Sequence, residues 1–291
     1  MTAPDLLAIV LPLQPLTPLP DRPVPRWWGR AAHALLLHVI QQADPALAKR
    51  LHDASAPRPF TTSSLIGALH RRLEAKATYR LRFTALDPAL SALLREACRH
   101  GPLAPDAVVA LNGFPFRVLP AVSDDPWAGQ TTFEALLTAG REAAGLSQRT
   151  LRLASPTTFK SQGHHQPFPL PGWAFGSLAA RWQALVPHPL PAGLGERLAS
   201  GLAVSRYRLQ SAVVPLKGAG RRIGAVGVVT YAGSSLSEAD RAWWHTLAAF
   251  AFYAGLGVGT AMGLGQCRLV SSEEAYGHRT SHHPREQSRS R

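Results

Sequence analysis

The sequence predicts an α+β protein in which one β-α-β-β-α-β order is laid down twice. Strand-like alternation and helix-like periodicity follow one another in that order in each half. The chain has 291 residues, 46% of them hydrophobic, which is enough for two cores. A glycine-rich stretch, Gly255 to Gly265, lies between the last helix-like run and the last strand-like run.

In the first half, Leu6 to Leu13 reads as a strand and the proline-rich segment from Pro15 to Pro25 as a loop. Trp27 to Gln42 has a helical period, and Pro45 opens a further helical turn or two to Asp53. Phe60 to Leu69 and Thr78 to Leu86 read as strands; in the second, Tyr79, Leu81 and Phe83 alternate with Arg80, Arg82 and Thr84. Asp87-Pro88 is a cap followed by proline at the first helical position, predicting a helix to His100. Val108 to Leu111 and Phe116 to Val122 supply the closing strands. A linker, Ser123 to Gln130, and a short helix, Phe133 to Ala139, lead to the second half. There the strands are Gln148 to Ala154, Ala203 to Leu216, Arg222 to Tyr231 and Gln266 to Val270, with a turn at Lys217-Gly218-Ala219-Gly220. The helices are Trp173 to Leu185 and Ser237 to Ala254, with Ser237 as N-cap of the latter. Two tandem ferredoxin-like domains fit this order: residues 1–140 and 141–271, with 272–291 as a disordered tail poor in aliphatic residues.

The formal net charge is +13, and residues 271–291 contribute only +1 of it, so the folded body is strongly cationic. Such a body attracts polyanions, and nucleic acid is the first partner to consider. The 27 arginines against four lysines also reflect composition in general, so their number alone decides nothing. Cys98 and Cys267 stand far apart in no metal or redox spacing, which predicts a reducing compartment, the cytoplasm by default. The apolar run at Leu6 to Leu13 is too short for a signal core, and no apolar span long enough for a membrane helix occurs.

The glycine stretch fits neither the Walker pattern, which ends in Gly-Lys-Ser/Thr, nor the dinucleotide pattern. It closes a helix and opens a strand, the reverse of both. A glycine loop can aim successive amides at an anion, which makes Gly255, Gly257, Gly263 and Gly265 candidates for binding a phosphate. A flexible linker with a C-cap glycine is the plainer alternative, disfavoured by the regularly placed Leu256, Val258 and Leu264.

Ala251-Phe252-Tyr253-Ala254 running into this loop, and Met262-Gly263-Leu264-Gly265-Gln266 leaving it, resemble the C-terminal signature of the CRISPR-associated endoribonucleases of the RAMP superfamily. Ser155 to Lys160, Phe175-Gly176-Ser177-Leu178, Arg181-Trp182 and Arg222 to Gly227 are similar to that family as well. So are Asp44-Pro45-Ala46-Leu47-Ala48, Leu51-His52 and Pro57 to Ser63 in the first half, so the resemblance covers most of residues 1–271. It implies tandem ferredoxin-like domains and metal-independent cutting of precursor CRISPR RNA within its repeats, leaving a 2′,3′-cyclic phosphate and mature guide RNA. A catalytically silent RNA-binding subunit of a CRISPR effector complex is the alternative, since relatives of that kind share the loop. Other effector subunits are then partners, and the chain is a monomer or a homodimer.

Cutting RNA without a metal requires proton transfer from the 2′-OH, proton transfer to the leaving 5′-oxygen, and stabilisation of the charged phosphorane. By its place in the motif His52 corresponds to the family's catalytic histidine, as acid or base. Arg58 falls where the family can place a phosphorane-stabilising cation; outside the motif it would read as a solvated loop arginine. Some members use a tyrosine on the first helix, where this chain has Leu37, and His38 next to it, or His33 one turn earlier, is a candidate substitute. Boundary packing is the plainer reading of both histidines. Lys160, Arg206, Arg208, Lys217, Arg221, Arg222 and Arg268 are the candidate RNA contacts, with Arg206 and Arg208 on one face of their strand and Tyr207 on the other. Neither a cofactor nor a metal is expected, because His164-His165 and His282-His283 have no Cys companion and no i, i+4 spacing.

Overall fold

The structure, a computed structural model, describes residues 4–53, 57–68, 72–215 and 220–277, and at His52 the backbone only. The first half runs β1 (Leu6–Pro15), α1 (Gly29–Ala43), α2 (Pro45–Asp53), β2 (Phe60–Thr62), β3 (Tyr79–Ala85), α3 (Pro88–Arg99), β4 (Val108–Leu111), β5 (Phe114–Val118) and β6 (Gly129–Thr131). The second half continues with α4 (Phe133–Glu142), β7 (Gln148–Thr157), β8 (Phe159–Ser161), β9 (His164–Gln166), α5 (Pro171–Leu185), α6 (Leu194–Gly201), β10 (Ala203–Pro215), β11 (Arg221–Ala232), α7 (Glu238–Ala254), β12 (Cys267–Val270) and α8 (Ser272–Tyr276).

The two larger sheets are antiparallel and carry the expected order, and β8 and β9 pair in a small third sheet. The first is β2-β3-β1-β5-β4, with β6 also on β1; the second is β10-β11-β7-β12. Each is a ferredoxin-like sheet, the outer strand of the first being replaced by a hairpin that turns at Asn112-Gly113, both at positive φ. Local chemistry sets the helix starts: Asp44 Oδ1 accepts from Leu47 N at 2.8 Å, Asp87 Oδ1 from Leu90 N at 2.9 Å, and Ser237 Oγ from Asp240 N at 3.1 Å.

Several boundaries move. The run from Phe60 pairs only to Thr62, beyond which Ser63 bridges to Gly263 and Ile66 to Arg80; Leu69 lies outside the described residues. The strand expected over Phe116 to Val122 is Phe114–Val118, because the Asn112-Gly113 turn begins it earlier. The β8–β9 hairpin and α6 were not anticipated. The helix after the linker packs with elements of the second half: Phe133 and Leu136 lie in one core with Trp182, Leu247 and Phe250. The expected tail also changes, since Ser272–Tyr276 are helical and Ala275 is buried on the second sheet. Residues 278–291, Lys217 and Leu216 lie outside the described residues. Among the described residues no helix is long and apolar enough to cross a membrane, and no group of three His, Cys, Asp or Glu is placed to hold a metal ion.

One buried histidine gives the second half a pH dependence. Arg149 Nε donates to His245 Nδ1 at 3.0 Å, so His245 Nε2 carries the proton and donates to Leu146 O at 2.9 Å. Burial, and then the Arg149 charge, push its pKa down to about 4. The unfolded imidazole takes up a proton near pH 6.5 and the folded one does not, so stability is full above that pH and falls as pH drops toward 4. Urea unfolding at pH 7 and pH 5 is expected to show a loss of about 2 kcal/mol from this group, absent in His245→Gln.

Candidate active site at the domain junction

The junction between the halves is built on β3. The alternation of Arg80, Arg82 and Thr84 puts them on the face away from α1, and the second half covers that face. Arg82 is 1% exposed. Its Nε donates to Trp127 O at 2.7 Å, Nη1 to Gln266 Oε1 at 2.5 Å and Nη2 to Phe252 O at 2.7 Å, with the guanidinium 4.5 Å from the Phe252 ring centre. Burial lowers its pKa to about 10, which leaves it charged at neutral pH. Thr84 Oγ1 donates to Tyr253 O at 2.8 Å, and Gln266 Nε2 to Thr62 O at 3.1 Å.

The glycine-rich loop after α7 is held from both sides. From the first half, Trp27 Nε1 donates to Met262 O at 2.8 Å, His33 Nδ1 to Ala261 O at 2.9 Å, and Thr62 Oγ1 to the same carbonyl at 3.0 Å. From the second, Arg181 Nη2 donates to Gly257 O at 2.6 Å and Nη1 to Gly255 O at 3.2 Å, with a further contact to Ala254 O. Burial lowers the pKa of Arg181 to about 10 as well.

This geometry corrects the reason for the glycines. The amides of Leu256, Val258, Gly265 and Gln266 donate to Gly265 O, Thr158 O, Pro156 O and Ser155 Oγ, and those of Gly255 and Gly257 to Ala251 O and Ser177 Oγ. They are not aimed outward at a phosphate. Gly257 has φ +75° and a Cβ there would lie 2.2 Å from Thr158 O; Gly263 has φ +90° and its Cβ would lie 2.9 Å from Ser64 N, across the junction. Glycine is needed so that backbones can touch. The outward part of the loop is half-buried Gly259 and Ala261 with exposed Met262, and a Cβ on Gly259 would stand 3.2 Å from Arg222 Nη1.

The sequence-derived candidates sort into groups around this junction. His52 lies in α2, beyond Leu51, which is buried in the first core. Arg58 is half-buried two residues before Phe60, whose ring centre is 5.5 Å from that of His33. The chain thus leads from Arg58 through Phe60 and His33 to the loop carbonyl of Ala261. His38 is five positions along α1 from His33, about 140° round the helix, and lines a cleft of about 820 Å³ against Val108 to Ala110 of β4. Of the two histidines named as substitutes for a tyrosine, His33 is the one that meets the loop.

Lys160 is exposed on β8, opposite His165, whose pKa is lowered by desolvation and by the Arg222 and Lys160 charges. Of these cations, Arg222 stands at the outer end of the glycine-rich loop, beside Gly259. Arg221 is exposed at the start of β11. Arg206 and Arg208 do share one face of β10, both over the Tyr276 ring, while Tyr207 on the other meets Phe168 at 5.3 Å. Arg268 joins them on the open face of the second sheet.

Arg82, Arg152 and the tail turn were missed by the sequence reading. A groove of about 590 Å³ between the halves is lined by Trp27, Arg80, Arg82, Trp127, Arg152 and Gln266 among others. It combines cations with indole rings, the chemistry that holds a nucleic-acid strand.

Two family models match the chain: that of the CRISPR-associated endoribonuclease Cas6 over residues 151–267, and that of the Cas6 N-terminal domain over residues 7–89. Among solved structures, a Cas6 product complex is 30% identical, with 91% of this chain and 100% of that one covered and a TM-score of 0.76. Another Cas6 product complex is 28% identical, covering 91% and 99%, with a TM-score of 0.73. A Thermus thermophilus Cas6 structure is 30% identical, covering 93% and 100%, with a TM-score of 0.66. No curated protein sequence matches significantly.

Proposed function

The chain belongs to the Cas6 family of CRISPR-associated endoribonucleases, and from that premise we propose that it cuts precursor CRISPR RNA within each repeat by 2′-OH attack, without a metal. The products are a 2′,3′-cyclic phosphate on one fragment and a 5′-hydroxyl on the other. His52 moves a proton, to the leaving 5′-oxygen or from the 2′-OH, as an imidazole with a pKa near neutrality can. Arg58 stabilises the negative charge that builds on the phosphorane, a role that suits the guanidinium fork. Lys160, Arg222 and the Gly259–Ala261 turn hold the backbone of the strand beside the cut.

The observation that carries this reading is the clamp on the glycine-rich loop: Trp27, His33 and Thr62 of the first half bond its carbonyls. The segment bearing Arg58 runs directly into β2, which contains Thr62. These bonds support reading the catalytic motif and the glycine-rich loop, with Arg222 at its outer end, as parts of one site.

The test is incubation of the host's own repeat RNA with the protein in excess EDTA. One cut per repeat with a 2′,3′-cyclic phosphate end is expected. Cutting that requires Mg²⁺ and leaves a 3′-hydroxyl would contradict the mechanism. Tight binding without any cut would favour the silent RNA-binding subunit instead.

A further inference from the structure

Resting on the reading of the chain as an RNA-cutting enzyme, we propose that the open face of the second sheet is an additional RNA-binding site, occupied in the free protein by Glu274 and Tyr276 in place of a phosphate and a base. The strand register aligns Arg208, Val228, Arg152 and Arg268 directly across β10, β11, β7 and β12, with Arg206, Thr230 and Thr150 in the adjacent row. The opposite face of the same strands, with Leu151, Leu153, Val229 and Tyr231, is buried in the core under the helices. Neighbouring strands are about 4.8 Å apart, so Arg152 and Arg268 are like charges placed directly opposite one another. Such a pair is destabilising unless an anion sits between them.

In this structure the anion is the protein's own. The Glu274 carboxylate accepts from both terminal nitrogens of Arg268, at 3.1 Å from Nη1, and lies 3.4 Å from Arg152 Nε. Arg152 Nη2 donates to Glu274 O at 3.0 Å, and Arg208 Nη2 donates to Ala275 O. The Arg206 guanidinium lies 3.6 Å over the Tyr276 ring, and the Tyr276 hydroxyl is 2.9 Å from Thr230 Oγ1. A carboxylate on two guanidiniums, beside a flat ring stacked on a third, reproduces the chemistry of a nucleotide on an arginine-rich platform.

Two further observations point to RNA as the intended occupant. Arg268 Nε is buried with no hydrogen-bond partner, and Arg152 Nε meets Glu274 only as a 3.4 Å ion pair without a hydrogen bond, so the face has donor capacity that Glu274 does not satisfy. Arg152 also lines the groove between the halves, and Arg268 lies 5.5 Å over the ring of Trp127 in that groove. A strand leaving the junction along the groove meets these two arginines first. The cover is light: a five-residue turn with Ala275 as its buried apolar contact and partly exposed ion pairs, which contribute little in water. A strand that brings several phosphates displaces it.

The experiment compares the full chain with a chain lacking residues 271–291, and with full-length Glu274→Gln. Each binds repeat RNA carrying a 2′-deoxy substitution at the cut position, over a series of salt concentrations. The shortened chain is expected to bind about tenfold tighter at low salt, with a plot of log affinity against log salt steeper by about 2, from three or so added phosphate contacts on a single strand. Glu274→Gln should move part of the way, and it stands as the test if the shortened chain does not fold. Adding Arg206→Ala and Arg208→Ala to the shortened chain should remove most of the gain. Affinity and slope unchanged or weaker in both variants, with the full chain still binding and cutting repeat RNA, overturn this inference alone. A full chain that fails to bind repeat RNA overturns the reading beneath it and this one together.

Discussion

Replacing His52 by alanine is expected to slow single-turnover cleavage of repeat RNA by about 10²–10⁴-fold, the usual worth of a positioned general acid or base, while RNA affinity stays essentially unchanged. The split follows from where the two tasks reside. On the function proposed above, the strand is held by cations of the second half, whereas the proton transfer depends on one imidazole of the first. The helix that carries His52 is anchored through Ala48 and Leu51 in the first core and capped by Asp44, so the substitution leaves its packing anchors in place. Rapid-mixing cleavage assays beside equilibrium binding check both halves of the expectation. A rate within a few-fold of the wild type would remove His52 from the chemistry.

The second large effect is structural. Arg82→Met is expected to destabilise the protein by about 3–5 kcal/mol, because it leaves two carbonyls and an amide oxygen buried without their donor, each costing about 1–3 kcal/mol, less than additively. Those acceptors, Trp127 O, Phe252 O and Gln266 Oε1, come from the linker, the end of α7 and the residue after the glycine loop. The junction is therefore expected to loosen where the loop meets β2, and cleavage to fall with it. Urea unfolding followed by tryptophan fluorescence measures the first consequence. A change below about 1 kcal/mol, the range of an ordinary surface substitution, would mean that Arg82 is not the clasp it looks to be.

Arg82 also shows what the sequence could and could not disclose. Its position in the alternation of β3 was plain, and the strand itself was legible from Tyr79, Leu81 and Phe83. Alternation, however, says only that Arg80, Arg82 and Thr84 share a face, not what covers it; covering is a tertiary event that no local pattern encodes. Arg152 was hidden for the same reason, although it alternates with Leu151 and Leu153 in the same manner. Both ferredoxin-like sheets were readable because each strand and helix carried its own period and its own caps, Asp87 and Ser237 among them. The short β8–β9 hairpin and α6 were not, since segments of three to eight residues show too few repeats of any period.

The glycine loop was found for a reason the structure replaces. Its glycines are required because Gly257 approaches Thr158 O and Gly263 approaches the first half, and its amides are largely consumed within the protein. The tail was misjudged because charge and the absence of aliphatics were weighed, while Glu274 and Tyr276 found partners only on a folded sheet. The catalytic motif rests on family membership, with the clamp at the junction as its physical support.

The claim on which the rest depends is that the catalytic motif of the first half and the glycine-rich loop of the second act on one phosphodiester. Repeat RNA with 4-thiouridine at the cut position and a 2′-deoxy substitution there, irradiated in complex with the protein and analysed by mass spectrometry, tests it most directly. Adducts should fall on both the segment from Pro45 to Thr62 and the segment from Gly255 to Arg268. Adducts confined to one half, with the other untouched, would contradict it.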